Sequence, residues 1–235
     1  MENLLPEIRK TLTLNVDEKT LLTGKRYFKE EVTLYGVRIP VVNKISKEFY
    51  SLLKDQSKQE IFSLCEALWK SGYNEEACIA CNWSYYLHKQ YEPSDLLIFE
   101  KWIEQYVKNW ASCDTLCNHS VGTLLEMYPE KISLLKKWAA SDNRWMKRAA
   151  AVSLIIPARK GMFLEDIFEI ATILLYDKDD LVQKGYGWML KAASESHEDE
   201  VYEFVFSKKQ VMPRTSLRYA IEKMSEKHKK EAMKK

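Results

Sequence analysis

A hidden period of 36 residues constrains this chain more than any other feature. Val41, Ala77, Cys113, Ala149, Gly185 and Ala220 follow one another at spacings of 36, 36, 36, 36 and 35. Four residues after each stand Ile45, Cys81, Cys117, Ser153, Met189 and Met224. Small or apolar side chains one turn apart mark helix faces that a second helix can approach closely. A two-helix unit of about this length cannot bury its apolar face alone, and stacking such units makes an α-solenoid. The period therefore predicts an all-α array of about six two-helix repeats, with the second helices of the pairs lining one surface.

Composition agrees with long helices. Gly occurs 7 times and Pro 6 times, too few for a fold built on many tight turns, while Leu, Lys, Glu and Ala abound. No stretch alternates strictly with β-branched residues, so essentially no sheet is expected. Helices are expected over residues 2–16, 20–32 and 41–54. The next is opened by a Ser57–Glu60 capping box, runs through Trp69 and ends at Gly72. Further helices are expected over 74–90, from Asp95 through Val107, and over 109–127 with an interruption near Gly122. Another starts at Pro129-Glu130, followed by 144–157 behind Asp142 or Asn143, 163–176, 181–194 behind an Asp180/Gln183 box, 198–207 and 214–229. Residues 1–235 read as a single helical-repeat domain whose basic end, 226–235, frays.

Charge alone decides little. Lys and Arg number 36 against 34 Asp and Glu, a formal +2, which neither demands nor excludes nucleic acid. The basic excess is local: residues 206–235 carry ten Lys or Arg against three Glu. A solvated helix end is the ordinary reading of such a tail and phosphate contact the other. No apolar h-region follows Met1 and no run approaches a membrane span. Five cysteines, an odd number, point to free thiols in a reducing compartment. A cytoplasmic protein, nucleoid-associated in a prokaryote, is the expectation. Cys78, Cys81, Cys113 and Cys117 with His119 would suffice in number for zinc. Cys81 and Cys117, however, fall on the small-residue rows, where a free thiol serves as a small core residue. No metal and no cofactor are expected.

The chemistry-bearing residues cluster in the middle repeats. Trp110 and Asp114 are four apart and share a helix face. Arg148 belongs to the next unit and Trp188 to the one after. Measured from the anchors at about 100° per residue, Trp110 and Asp114 point roughly 60–100° to one side, and Arg148 and Trp188 a similar angle to the other. With one stacking hand the four converge on a groove; with the other they diverge. Lys108, Arg144, Lys147, Lys184, Arg214 and Arg218 recur on the second helices and favour phosphate as a partner. Plainer readings exist for each: core tryptophans, a helix-capping aspartate, an arginine paired with a neighbouring acid.

Three stretches together resemble a known family. Lys-Asn-Trp-Ala-Ser-Cys-Asp (108–114), Ala-Ser-Asp-Asn-Arg-Trp-Met-Lys-Arg-Ala-Ala (140–150) and Val-Gln-Lys-Gly-Tyr-Gly-Trp-Met-Leu (182–190) are similar, in order and spacing, to AlkD-type DNA alkylation repair glycosylases. Upstream, Tyr27 and Tyr-Gly-Val-Arg-Ile-Pro (35–40) continue the likeness, which covers roughly 20–225. The resemblance implies a right-handed superhelix of HEAT-like repeats with a basic concave face for duplex DNA. It also implies monomeric action and excision of N3- and N7-alkylated purines without metal or cofactor. By motif position the catalytic carboxylate falls on Asp114, its aromatic partners on Trp110 and Trp188, and the arginine on Arg148. Tyr27, Arg38, Lys108, Arg144, Lys147 and Lys184 would meet the DNA. Arg38 departs from the family, whose members can carry an uncharged polar residue there, as do Cys113 and Cys117; these departures bear on substrate range. Two other classes compete: a non-catalytic binder of damaged or branched DNA, and a HEAT-like protein-interaction scaffold.

Overall fold

The computed structural model describes residues 3–234. Among them helix is the only extended regular structure; a single β-bridge joins Thr33 to Tyr73. No described helix is long and apolar enough to cross a membrane. The chain divides into two compact units, the first ending at Leu116 and the second beginning at Cys117.

The first unit contains α1 (Leu4–Leu14), α2 (Glu18–Tyr27), α3 (Ile39–Tyr50), α4 (Lys58–Lys70), α5 (Asn74–Tyr86), α6 (Asp95–Gln105) and α7 (Trp110–Leu116). Local chemistry sets their ends. Asp17 caps α2 through the Thr20 amide, and Pro40 sits in the first turn of α3. The Ser57–Glu60 capping box opens α4 as the sequence predicts, and Gly72, at φ +76°, follows its end. Helices α3, α5 and α7 pack one on the next, while α4 packs on α5 and α1 on α3. Trp83, Phe99 and Trp102 are sealed in this core, and the Trp83 indole N–H donates to the Ser46 carbonyl at 2.9 Å.

The second unit opens on a π-helical turn, Cys117–Val121, and continues through α8 (Gly122–Met127), α9 (Ser133–Ala139), α10 (Arg144–Val152), α11 (Ile155–Arg159), α12 (Leu164–Ile173), α13 (Asp180–Ser194), α14 (Glu198–Lys208), α15 (Arg214–Ala220) and α16 (Glu226–Met233). The π turn is the interruption expected near Gly122. There the Ser153 carbonyl oxygen lies only 2.8 Å from where a Cβ would stand on Gly122, so a side chain is not tolerated. Helices α10, α13 and α15 pack in succession, with α9 on α10 and both α12 and α14 on α13.

The period is visible as packing inside each unit. Ala77, Cys113, Ala149, Gly185 and Ala220 are buried and Val41 half-buried, and all six residues four positions on are buried. The six anchors sit on α3, α5 and α7 and on α10, α13 and α15, the helices that pack in sequence, which is the arrangement of α-solenoid repeats; of the residues four positions on, Cys117, Ser153 and Met224 fall just past their helix ends. At Gly187, two residues past its anchor, α13 meets α15 so closely that a Cβ would fall 2.7 Å from Tyr219 Cβ and 2.9 Å from the Ser216 carbonyl. Gly187→Ala is expected to cost about 1–3 kcal/mol of stability in urea unfolding, because backbone rather than a flexible tip must move. An unchanged midpoint would mean that this helix pair separates at no cost.

The structure departs from the sequence expectations at several helix ends. The helix expected over 144–157 is divided: α10 ends at Val152 and α11 runs over Ile155–Arg159. The helix expected over 20–32 stops at Tyr27, and an irregular segment containing Gly36 at φ +90° leads into α3. The helix expected over 214–229 breaks after Ala220 and restarts behind Ser225, whose hydroxyl caps α16. Asp179, not Asp180, caps α13, and the Gln183 side chain donates to the Asp177 carbonyl instead of closing a box. Residues 226–233, expected to fray, form α16: Ala232 is buried, Glu231 accepts from the Tyr202 hydroxyl at 2.8 Å, and His228 stacks on Tyr202. Glu2 and Lys235, at the ends of two expected segments, lie outside the described residues.

Candidate functional site

In the first unit the site is built on the start of α7. Asn109, itself buried, accepts from the Ser112 amide at 2.9 Å and donates to Asn74 Oδ1 at 3.1 Å. This fixes the first turn of α7 against the first turn of α5. Trp110 follows at once, half-buried, and Asp114 lies one turn further along at 8% exposure. The pair therefore has the shared face that the spacing predicts.

Trp110 does not stand alone. The rings of Tyr27 and Phe28, at and just beyond the end of α2, lie 5.5 and 5.8 Å from it, centroid to centroid. Together they wall a cavity of about 260 Å³ that Gly24, Leu34, Gly36 and Ile39 also line. Tyr27 keeps 67% of its surface exposed, unusual for an aromatic in a ring cluster. Tyr27 also lines an adjoining open hollow of about 490 Å³, together with Asp17, Lys19, Thr23 and Arg38. Arg38 precedes the first turn of α3 and is exposed. Hydrogen bonds from Thr20 hold the Asp17 carboxyl below its ordinary range, with the nearby Arg38 and Lys19 charges adding to this. Lys108 is exposed and makes no ion pair among the described residues.

In the second unit Arg148 sits on α10 at 5% exposure, and its guanidinium donates to the Leu181 carbonyl in the first turn of α13. The Arg148 stem packs on Gly185, where a Cβ would stand at ordinary contact distance, 3.5 Å from Arg148 Cγ. Trp188, three residues on, is half-buried. The other expected cations of this unit are engaged with acids at or just before the start of α13. Arg144 pairs with Asp179 at 2.9 Å and lies over the Trp145 ring, Lys147 pairs with Asp177 at 2.8 Å, and Lys184 pairs with Asp180 at 2.7 Å. The hydrogen bond that Lys184 donates to Asp180 raises the lysine pKa despite partial burial. Arg214 and Arg218, on α15, are exposed and without such a partner among the described residues.

Of the residues singled out in the sequence, the first unit holds Asp114, Trp110 and Tyr27 and the second holds Arg148 and Trp188. Trp110 and Tyr27 meet directly. Phe28 and Glu75, which also line the cavity, carry no sequence signal that singles them out. No group of three or more His, Cys, Asp or Glu side chains among the described residues is placed to hold a metal ion. Cys81, Cys113 and Cys117 are buried on the repeat rows; burial pushes the Cys65 thiol far up and Cys78 up to about 11.

The model of a family described as DNA alkylation repair enzyme matches residues 8–224. A solved structure described as a predicted DNA alkylation repair enzyme from Enterococcus faecalis has the same fold: TM-score 0.80 at 16% identity, over 90% of this chain and 98% of that one. No curated protein matches.

Proposed function

Because the chain belongs to the DNA alkylation repair enzyme family, we propose that it is a monofunctional DNA N-glycosylase. Its substrates in this reading are N3- and N7-alkylated purines in duplex DNA, of the 3-methyladenine and 7-methylguanine type. The observation that carries it is the pairing, one turn apart on α7, of a nearly buried carboxylate and an indole that walls an open aromatic cavity.

The chemistry fits those groups. Alkylation at N3 or N7 makes the purine a cation and so a good leaving group. Breaking its bond to deoxyribose builds positive charge on the sugar, the problem that glycosidases solve with carboxylates. Asp114 stabilises that charge and orients the attacking water; such preorganised charge is worth about 10²–10³ in rate, roughly 3–4 kcal/mol. Trp110 and Trp188 present π-faces to the cationic sugar or base, each contributing about 0.5–2 kcal/mol. Arg148 takes a backbone phosphate. Tyr27, Arg38 and Lys108 supply exposed contacts to the DNA. Arg144, Lys147 and Lys184 reach phosphate by exchanging their carboxylate partners. That exchange costs little, since part-exposed ion pairs contribute about 0–1 kcal/mol. The protein acts as a monomer and needs no cofactor in this reading.

One observation favours the protein-interaction scaffold: carboxylates already hold those three cations and must release them before phosphate can bind. Incubation with methylated duplex separates the two. The glycosylase frees alkylated base and leaves abasic sites; a scaffold neither retains the duplex nor frees base, and a duplex retained with nothing freed marks a non-catalytic binder.

Arg148→Ala is expected to lower the slope of log affinity against log salt by about one. An unchanged slope would confine Arg148 to holding the Leu181 carbonyl.

A further inference from the structure

Glu75 is the second residue of α5, and its carboxylate is used in an unusual way. The residue is 2% exposed. One carboxylate oxygen accepts from the amides of Gly36 at 2.8 Å and Val37 at 3.1 Å, and the other from the amide of Tyr35 at 3.1 Å. Three consecutive backbone N–H groups thus close on one buried anion. Its place in the first turn of α5 also sets the positive end of a helix dipole beside it. Two further contacts tie the same segment to this helix: the Asn74 amide donates to the Thr33 carbonyl at 3.0 Å, and the Tyr35 hydroxyl donates to Glu76 at 2.7 Å.

The segment held this way in turn holds α2. The Asp17 amide, at the α2 N-cap, donates to the Gly36 carbonyl at 2.9 Å. Leu21 lies directly over Gly36, where a Cβ would meet Leu21 Cβ at 2.6 Å, and Leu34 reaches against Gly24. α2 itself buries none of its described side chains. A helix with so little buried surface of its own takes its position from what it is attached to. Its C-terminal end carries Tyr27, with Phe28 next in the chain, against Trp110.

We propose that Glu75 is a positioning residue: by gripping the 35–37 backbone it fixes α2 as a lid on the Trp110 cavity, and so sets the placement of Tyr27 and Phe28 for the reaction. Although the residue borders the cavity, its carboxylate oxygens are taken up by the three amides, so it acts through Tyr27 and Phe28 rather than on the reacting atoms. A carboxylate is required because all three partners are donors. Glutamine offers one oxygen, and its NH₂ group would face an N–H, donor against donor.

The effect on activity rests on the glycosylase reading; the effect on α2 does not. The test therefore uses two readouts on the full chain: amide hydrogen exchange, and single-turnover base release from methylated duplex alongside duplex affinity. Glu75→Gln is expected to speed exchange across 17–38 by about tenfold or more, the scale of one lost charge-assisted hydrogen bond. Exchange in α4, α6 and the second unit should stay as in the parent protein. Base release should fall about tenfold or more while duplex affinity moves less than about threefold, since the lid acts on placement rather than on phosphate contact. Gly36→Ala, which strains the grip from the other side, should reproduce the pattern if Glu75→Gln is too unstable to purify. Tyr35→Phe, which leaves all three amide bonds in place, should keep near-parental base release.

Unchanged exchange over 17–38 overturns the proposal. So does exchange raised equally throughout the first unit, which would make Glu75 an ordinary fold-stabilising acid. If α2 loosens but base release holds, the lid has no part in the reaction and the proposal fails on that arm. If the parent protein frees no base at all, the glycosylase reading falls, and the exchange data alone still decide whether Glu75 holds α2.

Discussion

Asp114→Asn is expected to lower single-turnover release of 7-methylguanine from methylated duplex by about 10²–10³, while changing duplex affinity by less than about threefold. The substitution keeps size and shape, removes the negative charge and turns one carboxylate oxygen into an NH₂ donor. Asp114 is nearly buried on a helix whose first turn is set by Asn109 and Asn74, so the amide should occupy the carboxylate's place. What is lost is then charge against charge at the moment the sugar becomes cationic. A loss of affinity matching the loss of rate would assign Asp114 to holding α7 or the DNA rather than to the reaction. Equal turnover would remove it from the mechanism.

Asp95→Ala is expected to destabilise the first unit by about 3 kcal/mol, the lower end of what removing one partner of a buried ion pair costs. Lys58, whose side chain is 7% exposed, donates to Asp95 at 2.9 Å, and Asp95 also accepts from the Glu92 amide at 2.8 Å. Lys58 keeps Glu92 at 3.2 Å and the Gln90 carbonyl at 3.0 Å after the change, which is why the lower end applies. Burial works against its charge while the bonds to Asp95 and Glu92 support it, and the balance leaves the Lys58 pKa raised. A raised pKa means the pair's contribution is complete below the free lysine value and lost only as pH climbs through the folded one. The loss in Asp95→Ala should therefore be the same at pH 6 and pH 8. Urea midpoints measured at both values check this; a loss of under about 1 kcal/mol would show that the pair is solvated and ordinary.

These two aspartates show what a sequence discloses and what it hides. Asp95 follows Pro93-Ser94 and is legible as a helix start; nothing marks Lys58, 37 residues earlier, as its partner. The period was legible because the repeats place small or apolar residues where consecutive helices touch; Gly187 marks an approach that a Cβ would block, while Gly185 has room for one. Helix ends were legible where a side chain does the capping, as at Ser57 and Asn143. They were misread where the tertiary structure chooses: α2 stops at Tyr27 because the following segment is drawn onto Glu75. Asp180 looked like a cap because Gln183 follows at box spacing, yet Asp179 is the residue in extended conformation.

The same division runs through the site. The four-residue spacing of Trp110 and Asp114 carries their shared face unaided. The ring cluster with Tyr27 and Phe28 joins residues more than 80 positions apart, and only the fold brings them together. The cations of α10 were legible as cations but not as partners of Asp177 and Asp179, since no spacing rule links one helix to the connection before the next.

The central claim is that this protein cuts the bond between an alkylated purine and its sugar. It is tested most directly by incubating the purified chain with methylated duplex DNA and counting freed bases and abasic sites in the same sample. The account expects 7-methylguanine and 3-methyladenine in solution, one abasic site for each, and neither product from Asp114→Asn on the same timescale. Tight binding of the duplex with no base released would contradict it.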